Sequence, residues 1–206
     1  MAFNPDIHHR RSIRLLQYDY SAAGAYFVTI CVQGRECLFG RIENGEMRLN
    51  EAGEIVKAVW RCLPERFAPV EMDECIIMPN HFHGIICIVG APLAAPRFAG
   101  AKGMELAKNR DLVNKQGAAS SAPTLGSIMR VFKSISAIAV NRLLERHWQP
   151  LWQRNYYERV IRDEKELTDI REYILHNPMQ WADDENNPDL RRGAARRAQG
   201  LNCFES

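Results

Sequence analysis

Residues 70–90 read VEMDECIIMPNHFHGIICIVG. VEMDECIIM (70–78) and HGIICIVG (83–90) are apolar runs rich in β-branched residues, each the length of a buried strand. Pro79-Asn80 marks a turn between them, and strands joined this tightly pair as antiparallel neighbours. Upstream, AYFVTICVQ (25–33) predicts another buried strand, and Asn44-Gly45, flanked by RIE and EMRL, predicts a hairpin. Asn50 caps a helix whose Ile55, Val56, Val59, Trp60 and Leu63 share one face, with Pro64 closing it or sitting in its last turn. Downstream, TLGSIMRVFKSISAIAVNRLLERH (124–147) is the clearest helix. Its Ile128, Val131, Phe132, Ile135, Ile138, Ala139 and Leu143 recur at helical spacing, leaving Arg130, Lys133, Ser134 and Ser136 to the other faces. WQRNYYERVIR (152–162) predicts a strand. Asp163 with Glu166 forms a capping box for a last helix that turns Leu167, Ile170 and Ile174 inward and stops before Pro178. The first six elements run β-α-β-β-α-β, the ferredoxin-like split βαβ pattern. The expected class is α+β: a central antiparallel sheet, helices on one face, and an extra C-terminal helix.

The 206 residues suit one domain, 1–181, followed by an Arg-rich tail, 182–206. The Ala-, Gly-, Pro-, Ser- and Lys-rich stretch 91–123 has no sustained period and predicts a mobile insertion. Hydrophobic residues at 46% and charged residues at 25% exclude a wholly disordered or fibrous chain. No apolar run approaches the roughly 18 residues that span a bilayer, and no apolar segment follows the basic start MAFNPDIHHRRSIR, so neither membrane nor secretion is expected. None of the six cysteines forms a C-x-x-C pair. Cys31, Cys62, Cys75 and Cys87 lie in apolar runs, which predicts buried, reduced thiols and a cytoplasmic compartment. Net charge is only +2, but 124–150 and 190–206 are basic while 51–74 is acidic, a distribution that suits a polyanionic partner.

The chemistry-bearing residues are His81 and His83, flanking Phe82 at the entry to the third strand. Residues i and i+2 of a strand share a face, so both imidazoles project together while Phe82 packs behind. Two imidazoles make half of a divalent-metal site. Asn177 is an oxygen donor at the end of the last helix, and Tyr173 lies one helical turn before it on the same face. A phenol ionises near pH 10 and attacks poorly at neutral pH unless a metal polarises the phosphate beside it. Tyr156 and Tyr157 are rival nucleophiles on opposite faces of their strand, and neither has an Asn four residues on in a helix. Arg130 and Lys133 are candidate phosphate contacts or simply a solvated helix face. His8 and His9 fall in an N-terminal arm, and His176 neighbours Asn177. Arg191, Arg192, Arg196 and Arg197 are candidates for gripping a DNA backbone.

MPNHFHGI, LGSIMRVFKS and LWQRNYYERVIRDEKELTDIREYILHNP, in that order, resemble the REP-associated tyrosine transposases, single-tyrosine transposases of the HUH endonuclease superfamily. The resemblance covers about residues 10–181 apart from 91–123. It implies His81, His83 and Asn177 as ligands of Mg²⁺ or Mn²⁺, and Tyr173 as the nucleophile. It also implies cleavage and rejoining of single-stranded DNA beside a hairpin through a 5′-phosphotyrosine link, by a monomer or a homodimer. Two other readings stand beside it. One is a catalytically silent hairpin-binding module on the same fold; the other is a phosphodiesterase that uses water.

Overall fold

The structure is a computed structural model, and it describes residues 23–89 and 123–190. Its main elements are β1 (Gly24–Cys31), β2 (Gly40–Glu43), β3 (Glu46–Leu49), α1 (Glu51–Arg61), α2 (Leu63–Arg66), β4 (Val70–Ile77), β5 (His81–Ile88), α3 (Leu125–Leu143), β6 (Tyr157–Ile161) and α4 (Glu164–His176). Four strands form one sheet in the order β4-β5-β1-β6, and every neighbouring pair is antiparallel. β1 and β4 therefore run parallel on either side of β5, as a split βαβ requires. The stretch 91–122 of the expected insertion lies outside the described residues, as do His8, His9, Cys203, Arg191, Arg192, Arg196 and Arg197.

Local chemistry accounts for the connections. Asn44 and Gly45 both take positive φ, 54° and 76°, as a tight hairpin turn between β2 and β3 demands. Asn50 Oδ1 accepts the Gly53 amide at 3.0 Å and starts α1. Pro64 does not close α1. That helix stops at Arg61, and Pro64 sits in the first turn of α2, where its missing N–H leaves no bond unmade.

β1 and β5 alternate between two cores. Tyr26, Val28, Ile30, Phe82 and Ile86 face α1 and α3, packing on Val56, Trp60, Ile128 and Phe132. Gly84 lies under the Trp60 indole: a Cβ there would stand 2.5 Å from Trp60 Cζ2, so only glycine lets the ring lie on the strand. α3 is rotated from its expected face. Ser136 is buried and Ile138 is 56% exposed. The Ser136 hydroxyl donates to the Phe132 carbonyl at 2.6 Å and accepts from Trp152 Nε1 at 2.9 Å, so the buried indole N–H draws a polar residue into the apolar stripe.

β6 is half the expected length. Residues 153 and 154 form a loop whose carbonyls both accept from Lys133 Nζ, at 2.6 and 2.8 Å. Cys62, expected inside, is exposed, and none of the five described cysteines is in a disulfide. Among the described residues no helix is long and apolar enough to cross a membrane.

α4 covers the opposite face of the sheet. Ile170 and Ile174 pack on Phe27, Ile85 and Ile161. The helix starts where Asp163 Oδ1 accepts the Glu166 amide at 2.8 Å. Its middle is forked onto the sheet: Arg171 donates to both carboxylate oxygens of Asp73, at 3.0 and 2.5 Å. Asp73 sits where the β4 register shifts between Met72 and Cys75, a bulge that aims the carboxylate at the helix.

Candidate metal and nucleophile site

β5 begins at His81, so both histidines lie within the strand, His81 opposite Cys31 and His83 opposite Thr29 on β1. Strand alternation sends both imidazoles toward the α4 side and Phe82 into the other core, as the spacing predicts. The two rings lie 4.7 Å apart between centroids and nearly perpendicular, and both are buried.

Each Nδ1 is already engaged. His81 Nδ1 meets Asn80 Oδ1 at 2.9 Å, and the Asn80 amide nitrogen donates to the carbonyls of Arg35 and Asn186 at 2.9 and 2.8 Å. Those two carbonyls accept only, so the amide nitrogen must face them and its oxygen must face His81. The His81 proton therefore rests on Nδ1, and Nε2 carries a free lone pair. His83 Nδ1 meets Thr29 Oγ1 at 2.7 Å, while the Phe27 ring stacks on its imidazole at 5.6 Å. Both Nε2 atoms are buried without a hydrogen-bond partner, and so is Asn177 Oδ1.

Electrostatics keeps the imidazoles in their ligating form. Burial drives the His81 pKa down to about 4. The Asp184 carboxylate opposes that fall, Arg35 adds to it, and the Asn177 amide opposes it weakly. Burial, reinforced by His81, holds His83 well below the usual imidazole range. Asn177 caps α4, with Tyr173 one turn earlier. The Tyr173 ring stands edge-on to His83 at 5.4 Å and to Phe27 at 6.0 Å. Burial raises its pKa above 10, the Asn177 amide lowers it, and Asp184 and Glu185 raise it further. Tyr173 is thus a neutral phenol at neutral pH.

His83, Tyr173, Asn177 and Asp184 open onto a cleft of about 770 Å³ that Tyr157, Arg35, Asp183 and Glu185 also line, while His81 is buried outside that lining. Both rival tyrosines line the cleft: the Tyr157 ring lies 6.5 Å from Phe27, and Tyr156 also packs partly against the α1–α3 core. Arg130 is exposed near the start of α3, on the far side of the sheet, and Lys133 holds the 153–154 loop. His176 Nδ1 is bonded back to the Glu172 carbonyl at 2.8 Å, away from Asn177.

Three participants escaped the sequence reading. Asn80 passed as a turn residue, and Thr29 as a strand residue. Asp184 lay in what composition made a tail, yet its Oδ2 is 3.6 Å from His81 Nε2. Asp184, Asn186 and Asn187 close a turn, with the Asn186 amide on Asp184 Oδ1 at 2.6 Å and the Asn187 amide on the Asp184 carbonyl at 2.8 Å. The density of Asp and Asn in ADDENNPD is the signal for that turn. Among the described residues no group of three His, Cys, Asp or Glu side chains is arranged as a metal site, so the histidine pair looks to the Asn177 amide for a third donor.

No protein-family model matches the chain. An uncharacterized protein of Haemophilus influenzae is 43% identical over 183 residues, spanning 89% of this chain and 96% of that protein. The chain belongs to that protein's family. Among solved structures, a REP-associated tyrosine transposase bound to a REP hairpin superposes with a TM-score of 0.51. It is 16% identical, over 82% of this chain and 74% of that one. The α+β fold with its central antiparallel sheet is shared with that transposase.

Proposed function

We propose that this protein is a metal-dependent single-strand DNA endonuclease and strand transferase that works beside hairpins, with Tyr173 as the nucleophile. The observation that carries the reading is the set of three buried, unpartnered donors, His81 Nε2, His83 Nε2 and Asn177 Oδ1, beside a half-exposed tyrosine. Buried polar atoms without partners are costly and call for an explanation. A divalent ion such as Mg²⁺ or Mn²⁺, held by those three residues, supplies it, and when bound it polarises a scissile phosphate. The cleft's own charge points the same way. Asp183, Asp184 and Glu185 repel a phosphate, and a bound cation offsets them. The shared fold with a transposase solved on a REP hairpin supports DNA as the partner.

In this reading the Tyr173 oxygen forms a bond to phosphorus as the bond to the 3′ oxygen breaks. The phenolic proton is released and the leaving oxygen takes one up, giving a 3′-OH and a 5′-phosphotyrosine. Attack by a 3′-OH reverses the step and rejoins the strand. Phe27 and His83 hold the tyrosine ring from two sides, and Arg171 anchors its helix to the sheet. The Tyr173 ring stands 5.4 Å from the His83 ring of its own chain, the placement that attack without a partner's tyrosine requires.

The test uses labelled single-stranded hairpin oligonucleotides from around the protein's own coding region, with Mg²⁺ or Mn²⁺, on a denaturing gel. A metal-dependent covalent band that disappears in Tyr173→Phe and persists in Tyr157→Phe is expected. Cleavage without an adduct in Tyr173→Phe would mean that water attacks. Tight hairpin binding with no cleavage would mean a silent binding module.

A further inference from the structure

His81 Nε2 and Asp184 Oδ2 face each other at 3.6 Å. The Asn80 amide commits the His81 proton to the other ring nitrogen, so both facing atoms carry lone pairs and neither donates to the other. The Asp184 side chain is only 12% exposed, and its second oxygen is tied to the Asn186 amide at 2.6 Å. Asn80 also holds the Asn186 carbonyl at 2.8 Å, so one amide fixes both the His81 tautomer and the turn that carries Asp184. Two acceptors pressed together in a buried place repel, and a cation between them removes the repulsion. Two donors bonded to one divalent ion at about 2.1 Å stand roughly 3.0–3.6 Å apart, which matches the observed separation. The buried, unpartnered Nε2 of His83 and Oδ1 of Asn177 are separate signs that this place takes a ligand.

We propose that Asp184 is a fourth protein ligand, a carboxylate that the divalent ion draws in beside His81, His83 and Asn177; as they are placed, no three His, Cys, Asp or Glu side chains among the described residues already meet as a metal site. The inference rests on the metal-dependent function proposed for the site and adds to it a formal negative charge and a hard oxygen. Both favour Mg²⁺ and Mn²⁺ over softer ions relative to two imidazoles and an amide. The ion also becomes a clasp between strand β5 and the 184–187 turn, which α4 separates in sequence.

The test reads metal affinity, not cleavage. Mn²⁺ is titrated into the full chain by calorimetry, with free Mn²⁺ followed by electron paramagnetic resonance. The variants are Asp184→Asn, Asp184→Glu, His81→Ala and His83→Ala, with circular dichroism confirming the fold of each. Asp184→Asn keeps the shape and an oxygen for the Asn186 amide but loses the charge. It is expected to weaken Mn²⁺ binding about tenfold or more, with Asp184→Glu recovering most of the loss. Asp184→Asn binding as tightly as wild type, while His83→Ala loses the ion, would overturn the proposal and leave the metal reading standing. Wild-type protein that binds no Mn²⁺, or histidine variants that bind it normally, would overturn both.

Discussion

Replacing Asn80 with alanine removes three hydrogen bonds in a side chain with no exposed surface: to the Arg35 carbonyl, the Asn186 carbonyl and His81 Nδ1. A net hydrogen bond contributes about 1 kcal/mol, and a buried group left unpaired costs about 1–3 kcal/mol. The Arg35 carbonyl lies beside an exposed loop where water can replace the amide, so the low end of that range applies there. The sum is about 3 kcal/mol, a fall in melting temperature of roughly 6–12 °C for a domain of this size. Urea unfolding of Asn80→Ala against wild type measures it, and an unchanged slope would show that the denatured state is the same. A second readout separates the bond count from the tautomer argument. Nitrogen-15 correlation spectra should place the His81 proton on Nδ1 in wild type and divide it between the ring nitrogens in the variant. A loss below about 1 kcal/mol with the tautomer unchanged would refute the claim that this amide orients the histidine.

Other perturbations probe the supports of the site. Arg171→Met removes the fork to Asp73 and should cost about 2 kcal/mol; because α4 then floats, adduct yield should fall even where the protein remains folded. A double-mutant cycle with Asp73→Asn should show coupling, and additive losses would sink that account. Gly84→Ala places a methyl 2.5 Å from Trp60 Cζ2 and should cost about 1–3 kcal/mol in thermal or urea unfolding, whereas a neutral result would mean that the indole can slide. His81 has a folded pKa of about 4 against an ordinary 6.5, so the unfolded chain binds the extra proton between those values. Stability should therefore be full above pH 6.5 and decline as pH falls toward 4, losing about 2 kcal/mol by pH 5 from this residue alone. His83 acts in the same direction. Metal-free urea midpoints at pH 7.5 and pH 5 test this, and His81→Gln should flatten the slope.

Elements whose formation is governed by neighbours in sequence were legible from the residues alone. The Asn44-Gly45 turn, the Asn50 and Asp163 caps and the alternation through β5 all follow from local stereochemistry, and so does the projection of His81 and His83 together. Misread residues owe their places to partners far away. Ser136 is drawn inward by Trp152, and Lys133 is taken up by the carbonyls of a loop that then fails to extend β6. Asp184 and Asn80 belong to the site only because a turn near residue 186 folds back onto a turn at residue 80. Periodicity and composition do not carry such information. The Tyr173–Asn177 pairing sat between these cases: helical spacing shows the shared face, but only packing of Ile170 and Ile174 shows which side of the sheet that face meets.

The strand order has a consequence for how the chain comes to be active. β1 is the first described strand and β6 the last, yet they are neighbours: Ala25 pairs with Ile161 and Thr29 with Tyr157. During synthesis β1 must wait with one edge open while most of the chain emerges, and contacts so distant in sequence form slowly. The imidazoles come early and the tyrosine, its helix and the 184–187 turn come late. A nascent or truncated chain therefore carries half a site and a β1 strand paired with β5 on one edge and open on the other. Under the function proposed above, competence to break DNA then arrives only after α4 and the 184–187 turn have been made and folded. The same delay makes β1 the segment most exposed to wrong pairing on the way.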